Sequence, residues 1–308
     1  MTLNNFLLGI FFLSQFGIGV LGNSVLFLVY VNVFIYQPSK KKPTDLILIN
    51  LTLVNMAMLV ICGVQVILVN FGMKYVLDDV GCRGVLYINR VARGLSICTT
   101  CLLSVFQAVT ISPSTSCWAR LKPRAPSYIL PSLLFFWILN LMLYIGIITS
   151  VEATKNVTLP GHTFISKGCS TVPGFNYAIV VITLVTFRDL FFVFLMSWAS
   201  GYMVIVLYRH RKQVQHIHST NVSPRSSVES RVIQTNLFLV NCFVFFYWLN
   251  CCITLYISYI KDYDSPLQYS TTFLAACFPS LCPWVLIRND ARVPRPQFVF
   301  KKLGSSTP

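Results

Sequence analysis

Seven stretches of this chain, at about 6–36, 45–71, 82–111, 127–150, 176–208, 232–260 and 266–287, run for more than twenty residues with little or no charge. A helix needs roughly 20 consecutive apolar residues to cross the hydrocarbon of a bilayer, so each stretch is long enough to span. With 55% hydrophobic and only 11% charged residues among 308, the chain carries more apolar side chains than a soluble core would enclose. The expected fold is an all-α membrane protein: one seven-transmembrane helix bundle over 1–308, with 288–308 as a tail. The first stretch has neither a basic leader nor a small-residue cleavage site ahead of it, and is read as a helix that stays.

The formal net charge of +15 does not point to nucleic acid, because the lysines and arginines fall in short connections between apolar blocks. On one side lie Lys40, Lys41, Lys42, Arg120, Lys122, Arg124, Arg209, Arg211, Lys212, Arg225, Arg231, Arg288, Arg292, Arg295, Lys301 and Lys302. The other side has only Lys74, Lys155, Lys167 and Lys261. Basic loops stay in the cytoplasm, which predicts an extracellular amino terminus and a cytoplasmic carboxyl terminus in a multi-pass plasma-membrane protein.

Two features not used to obtain that orientation agree with it. The sequon at Asn156 falls in the long connection between the fourth and fifth helices, on the predicted outer side, where it could be glycosylated. Of the eleven cysteines, Cys82 at the outer end of the third helix and Cys169 in that same connection are the two best placed for an oxidising compartment. A disulfide between them would pin the loop over the bundle. The sequons at Asn50, inside the second helix, and Asn221, in a cytoplasmic loop, are read as chance matches.

Nothing suggests catalysis, a cofactor or a bound metal. His162 is external, and His210, His216 and His218 sit in a basic loop without a carboxylate pair or nucleophile. Cys98 and Cys101 form a CxxC, but inside an apolar helix they read as packing residues.

The unusual chemistry is charge inside the membrane: Arg90, Arg93, Arg188 and Asp189. Arg90 and Arg93, three residues apart, share a helix face about 12 and 16 Å along the axis from Cys82. Arg188 and Asp189 lie at comparable depth in the fifth helix. An unpaired charge at the bilayer centre costs at least ~2.5–3.5 kcal/mol, so all four should face the interior. One aspartate cannot neutralise three arginines. Either an arginine is left in a hydrated cavity for a ligand with an acceptor or anionic end, or the surplus is absorbed by carbonyls and by Asn89, Asn140 or Gln65. Of the sixth-helix aromatics Phe243, Phe245, Phe246, Tyr247 and Trp248, two are expected at a pocket.

The third-helix string RVARGLSICTTCLLSVFQAVTISP, followed by Trp118 and LKPRAP, resembles the vomeronasal type-1 receptors. So do LILINLTLVN, RDLFFVFLMSWASGYMVIVLYRHRKQVQHIHS, SPRSSVESR with TNLFLVNCFVFFY, and CPWVLIRNDAR, so that the resemblance covers essentially the whole chain. It implies a G-protein-coupled pheromone receptor that binds small organic cues, steroid derivatives among them, and signals through Gi/Go. The expected ligand contacts are Asn89, Arg90, Arg93, Arg188, Asp189, Tyr247 and Trp248. Arg120, Lys122, Arg124, Arg209, Arg211 and Lys212 are expected to face the G protein and the anionic lipid of the inner leaflet. The chain departs from rhodopsin-like receptors at Asn55, where aspartate is usual, and at Phe106-Gln107-Ala108, where an acidic-Arg-Tyr triplet would stand. It departs from the vomeronasal pattern at Asn50, in place of histidine, and Trp284, in place of phenylalanine. A bitter-taste-type receptor and an anion transporter are the alternatives; the third-helix string argues against the first, and the odd helix count and lack of inverted repeats against the second.

Overall fold

The computed structural model describes residues 3–70, 78–153, 163–166, 169–171, 175–217, 224–260, 265–290 and 292. Seven long helices dominate them: α1 Leu3–Tyr36, α2 Thr44–Asn70, α3 Asp79–Ile111, α4 Ala125–Leu143, α5 Phe175–Ile217, α6 Pro224–Ile260 and α7 Ser265–Asn289. Between α4 and α5 lies a small antiparallel sheet, β1 Val151–Ala153, β2 Thr163–Ser166 and β3 Cys169–Thr171, with β3 in the middle. Helices α5 and α6 run beyond the apolar blocks 176–208 and 232–260. Lys, Arg, Gln and Glu are good helix formers, so a helix need not stop where its hydrophobic face does.

Helix α3 is the axis of the bundle. It packs against α2, α4, α5 and α6, and Gly94 to Cys101 are buried without a break. A helix enclosed on all sides must be apolar or self-satisfied around its whole circumference. Here the enclosed run is small, Gly-Leu-Ser-Ile-Cys-Thr-Thr-Cys, which lets neighbouring backbones approach closely. Thr100 donates back to the Ser96 carbonyl at 2.7 Å, as Ser104 just beyond the run does to the Thr100 carbonyl at 2.9 Å, and Ser96 donates to Asn55 of α2 at 3.3 Å. Asn50, inside α2, ties three helices, donating to Thr99 of α3 at 2.8 Å and accepting from the Trp137 indole of α4 at 2.9 Å. Cys98 and Cys101 are buried free thiols.

Helix α7 contains Pro279 and Pro283. Proline has no N–H, so Pro283 cannot donate to the carbonyl four residues earlier, that of Pro279. Asn23 of α1 supplies the missing donor. Its Nδ2 lies 2.9 Å from the Pro279 oxygen and 2.8 Å from that of Gly19. The approach is close enough that a Cβ on Gly22 would sit 3.0 Å from the Pro283 ring.

Outside, the bundle shows large apolar side chains all round, among them Leu28, Phe135, Phe187, Phe194 and Trp198. Among the described residues six helical spans are long and apolar enough to cross a membrane, and α6 adds a shorter apolar run, Leu237–Ile253. At the end where α7 finishes, Arg292 folds back onto the start of α2. It makes a two-pronged contact with the fully buried Asp45 at 2.8 and 2.9 Å, also binds Asp290, and lies over the Tyr30 ring. Burial alone would raise the Asp290 carboxyl; hydrogen bonds from Arg292 outweigh it and hold the group below the usual carboxylate range. That contribution is present at neutral pH and is lost as pH falls through the lowered value.

Replacing Asn23 by Ala strips the Pro279 carbonyl of its donor, with an expected cost of about 1–3 kcal/mol. The detergent-solubilised protein should melt several degrees lower; an unchanged Tm would mean that the α1–α7 seam is held by packing alone.

Candidate ligand-binding site

The two charges of α5 solve their burial problem with each other and with α4. Arg188 and Asp189 are each 7% exposed. Arg188 donates from Nε at 2.8 Å and Nη2 at 2.5 Å to the same Asp189 oxygen, Oδ1. Its Nη1 donates to the Asn140 side-chain oxygen at 2.6 Å, and its Nη2 also reaches the Tyr144 hydroxyl at 3.1 Å. Breaking a buried pair on one side costs roughly 3–5 kcal/mol. The second aspartate oxygen, Oδ2, accepts from the Tyr247 hydroxyl of α6 at 2.5 Å.

Room for this arrangement comes from α3. A Cβ on Gly94 would overlap the Asn140 side-chain oxygen and lie 2.5 Å from Arg188 Nη1. Only the missing side chain of glycine lets the guanidinium and the carboxamide press on the α3 backbone.

Arg93, one residue earlier, turns to the other side of Tyr247. Its guanidinium lies 5.4 Å from the Tyr247 ring centre, a cation–π distance. With the Asn250 carboxamide oriented to satisfy its surroundings, the Asn250 oxygen accepts from both Arg93 terminal nitrogens at 2.8 and 3.2 Å, and its nitrogen donates to the Thr271 carbonyl at 3.2 Å. Arg93 thus joins α3 to α6 and α7 through a neutral partner.

Beside Arg93 is a partly open cavity between α2, α3, α6 and α7, with about 380 Å3 of empty space when the solvent at its mouth is included. Its walls are Met58, Ile97, Phe243, Phe246, Leu274 and Phe278; its polar groups are Arg93, Ser96, Tyr247 and Asn250. Arg93 is the one charge among the lining residues. Apolar walls with a few convergent polar groups are the usual make-up of a small-molecule site.

Of the residues singled out in the sequence, Arg93 and Tyr247 line this cavity. Arg188 and Asp189 lie directly behind Tyr247. Arg90 presents accessible surface while within electrostatic reach of Arg93, Tyr144, Arg188 and Asp189. Asn89 is half-buried and off the cavity wall, and Trp248, 65% exposed, points away from the bundle. Cys82 is disulfide-bonded, and Cys169 opens β3, with its side chain outside the described residues. Asn156 is outside them as well. Arg120, Lys122, Arg124, Arg209 and Lys212 are exposed at the end of the bundle opposite the sheet; only the backbone of Arg211 is described there. Among the described residues no His/Cys/Asp/Glu group could hold a metal ion. Sequence reasoning missed Gly94, Tyr144 and Asn250. An amide two residues past the aromatic run Phe245 to Trp248 was the available signal for Asn250.

Three comparisons bear on identity. The model of the vomeronasal organ pheromone receptor family matches residues 6–299. Vomeronasal type-1 receptor 3 of Homo sapiens is 37% identical, covering 96% of this chain and 94% of that protein. Vomeronasal type-1 receptor 4 of Pongo pygmaeus is 36% identical over 94% and 96%, and vomeronasal type-1 receptor 1 of Gorilla gorilla gorilla 35% over 95% and 82%. Among solved structures, squid rhodopsin superposes with a TM-score of 0.69 at 17% identity, covering 91% of this chain and 76% of the other, which supports the seven-helix fold alone. With the family matched from end to end and the bundle matched in three dimensions, this chain belongs to the vomeronasal type-1 receptors, multi-pass G-protein-coupled chemosensory receptors of the plasma membrane and not enzymes.

Proposed function

We propose that this receptor binds a small, mostly apolar organic molecule with one acceptor or anionic end, steroid derivatives among the candidates, in the cavity between α2, α3, α6 and α7. The observation that carries the reading is Arg93: a guanidinium in an apolar cavity whose partners are a neutral carboxamide and an aromatic ring. Such a charge gains most from a ligand that brings an acceptor to it. Phe243, Phe246 and Phe278 would hold the ligand's body. Arg188 serves the bundle, because its donors are already committed to Asp189, Asn140 and Tyr144.

In this reading the amino terminus and the sheet-bearing connection face outward. Cys82 pairs with Cys169 to tether that connection, and Asn156 carries glycan. The exposed basic residues at the other end face the cytoplasm, where they meet inner-leaflet lipid and a Gi/Go-type G protein. Ligand binding acts by shifting population between two helix arrangements, in the signalling one of which α6 has swung outward. Family membership sets aside the bitter-taste-type receptor, and nothing observed favours the transporter.

The test is G-protein activation in cells expressing the chain, with sulfated and unsulfated steroids screened in parallel and sensors specific for each Gα class. Arg93→Ala should raise the half-maximal ligand concentration about tenfold or more, the loss expected for a hydrogen bond to a charged group. Trp248→Ala should respond like wild type. A wild-type response from surface-expressed Arg93→Ala would move the ligand elsewhere. Gly94→Ala and Arg188→Ala should instead lower the amount of receptor at the surface, whatever the ligand, because each disrupts the buried ion pair; normal surface levels of both would contradict the structural role given to Arg188.

A further inference from the structure

Tyr247 belongs to two systems at once. Its ring lines the cavity, stacks on Phe243 at 6.0 Å with 9° between the planes, and lies beneath Arg93. Its hydroxyl donates to Asp189 at 2.5 Å. Asp189 in turn is locked to Arg188, which is held by Asn140 and Tyr144. The chain of contacts therefore runs from the cavity, through a single side chain of α6, to a rigid anchor formed by α4 and α5.

We propose that the Tyr247–Asp189 hydrogen bond is the latch holding α6 to α5, and that pressure of a ligand on the Tyr247 ring is what releases it. The inference rests on the cavity being the ligand site, but the latch itself can be tested without any ligand. Three features favour it over simple packing. The acceptor is a carboxylate already immobilised by Arg188, so it cannot follow the hydroxyl if α6 moves. Its acceptor, Asp189, is 7% exposed, and a charge-assisted hydrogen bond to a buried carboxylate is worth more than one in open water. The aromatic ring that carries the donor forms part of the cavity wall, so any molecule filling the cavity touches it.

A latch of this kind has a signature that a packing contact lacks: deleting one oxygen atom should turn the receptor on. Tyr247→Phe keeps the ring, its stacking on Phe243 and its contact with Arg93, and removes only the donor. Basal G-protein activation, measured without ligand and normalised to tagged receptor at the cell surface, should rise about fivefold or more, the shift that loss of one charge-assisted hydrogen bond makes in a two-state equilibrium. Asp189→Asn weakens the same bond from the other side and also breaks the ion pair with Arg188, so less of it should reach the surface, while the basal activity of the fraction that does should be raised. Tyr144→Phe removes a hydroxyl from the anchor without touching α6, and should leave basal activity at the wild-type level.

A wild-type basal level in surface-expressed Tyr247→Phe overturns the proposal, as does an equal rise in Tyr144→Phe, which would mean general loosening. Retention of Tyr247→Phe inside the cell overturns it too, because the bond would then be needed for folding and not for switching. If basal activity rises as expected while Arg93→Ala leaves the ligand response intact, the latch stands and the assignment of the cavity to the ligand falls.

Discussion

A charge that enters hydrocarbon must bring its own solvent, and the centre of this bundle is arranged around that requirement. Arg188 and Asp189 are buried where water cannot compensate them. The substitutes are Asn140 of α4, the adjoining Tyr144, and Tyr247 of α6, and the missing side chain of Gly94 on α3 leaves them the room. Glycine at the head of the small run Gly94 to Cys101 serves the same need, since the guanidinium and the Asn140 carboxamide come close to the α3 backbone there. Removing either charge leaves the other stranded, at a cost of roughly 3–5 kcal/mol.

The surplus of positive charge is divided unevenly. Asp189 is spent on Arg188, which leaves Arg93 with Asn250 and a ring face, and Arg90 with accessible surface. The division places a cation on the cavity wall without placing a carboxylate opposite it. Phe243, Tyr247 and Phe278 then set the shape of the space, with Phe243 and Phe278 packed edge to face at 4.7 Å.

Much of this was legible in the sequence. The seven apolar blocks marked the helices, because twenty uncharged residues have few other uses, and the depth of Arg90, Arg93, Arg188 and Asp189 followed from helical rise. What the blocks could not show was who faces whom. Arg188 and Asp189 are neighbours in sequence and about 100° apart around α5, a spacing that argues against mutual contact until the length of the arginine side chain is considered. Asn140 was among the expected partners, whereas Tyr144 and Asn250 depend on the rotation of α4 and α6 about their axes. In a helix that is apolar all round, periodicity does not report that rotation. Trp248 shows the same limit: it is adjacent to Tyr247, yet points the opposite way. The ends of α5 and α6 ran past their apolar blocks because the bilayer sets where hydrophobicity stops, not where hydrogen bonding does.

The missing side chain at Gly94 has a further consequence for how this receptor can diverge. Gly94, Asn140 and Arg188 occupy one volume from three helices, so none can be exchanged on its own: a larger residue at the first displaces the other two, and a smaller one at the third strands Asp189. Met58, Phe246 and Leu274 line the cavity outside that triplet. A change at Met58, Phe246 or Leu274 therefore alters the shape of the cavity and leaves the packing of the triplet in place, so that one part of the bundle can change its chemistry while another is held fixed.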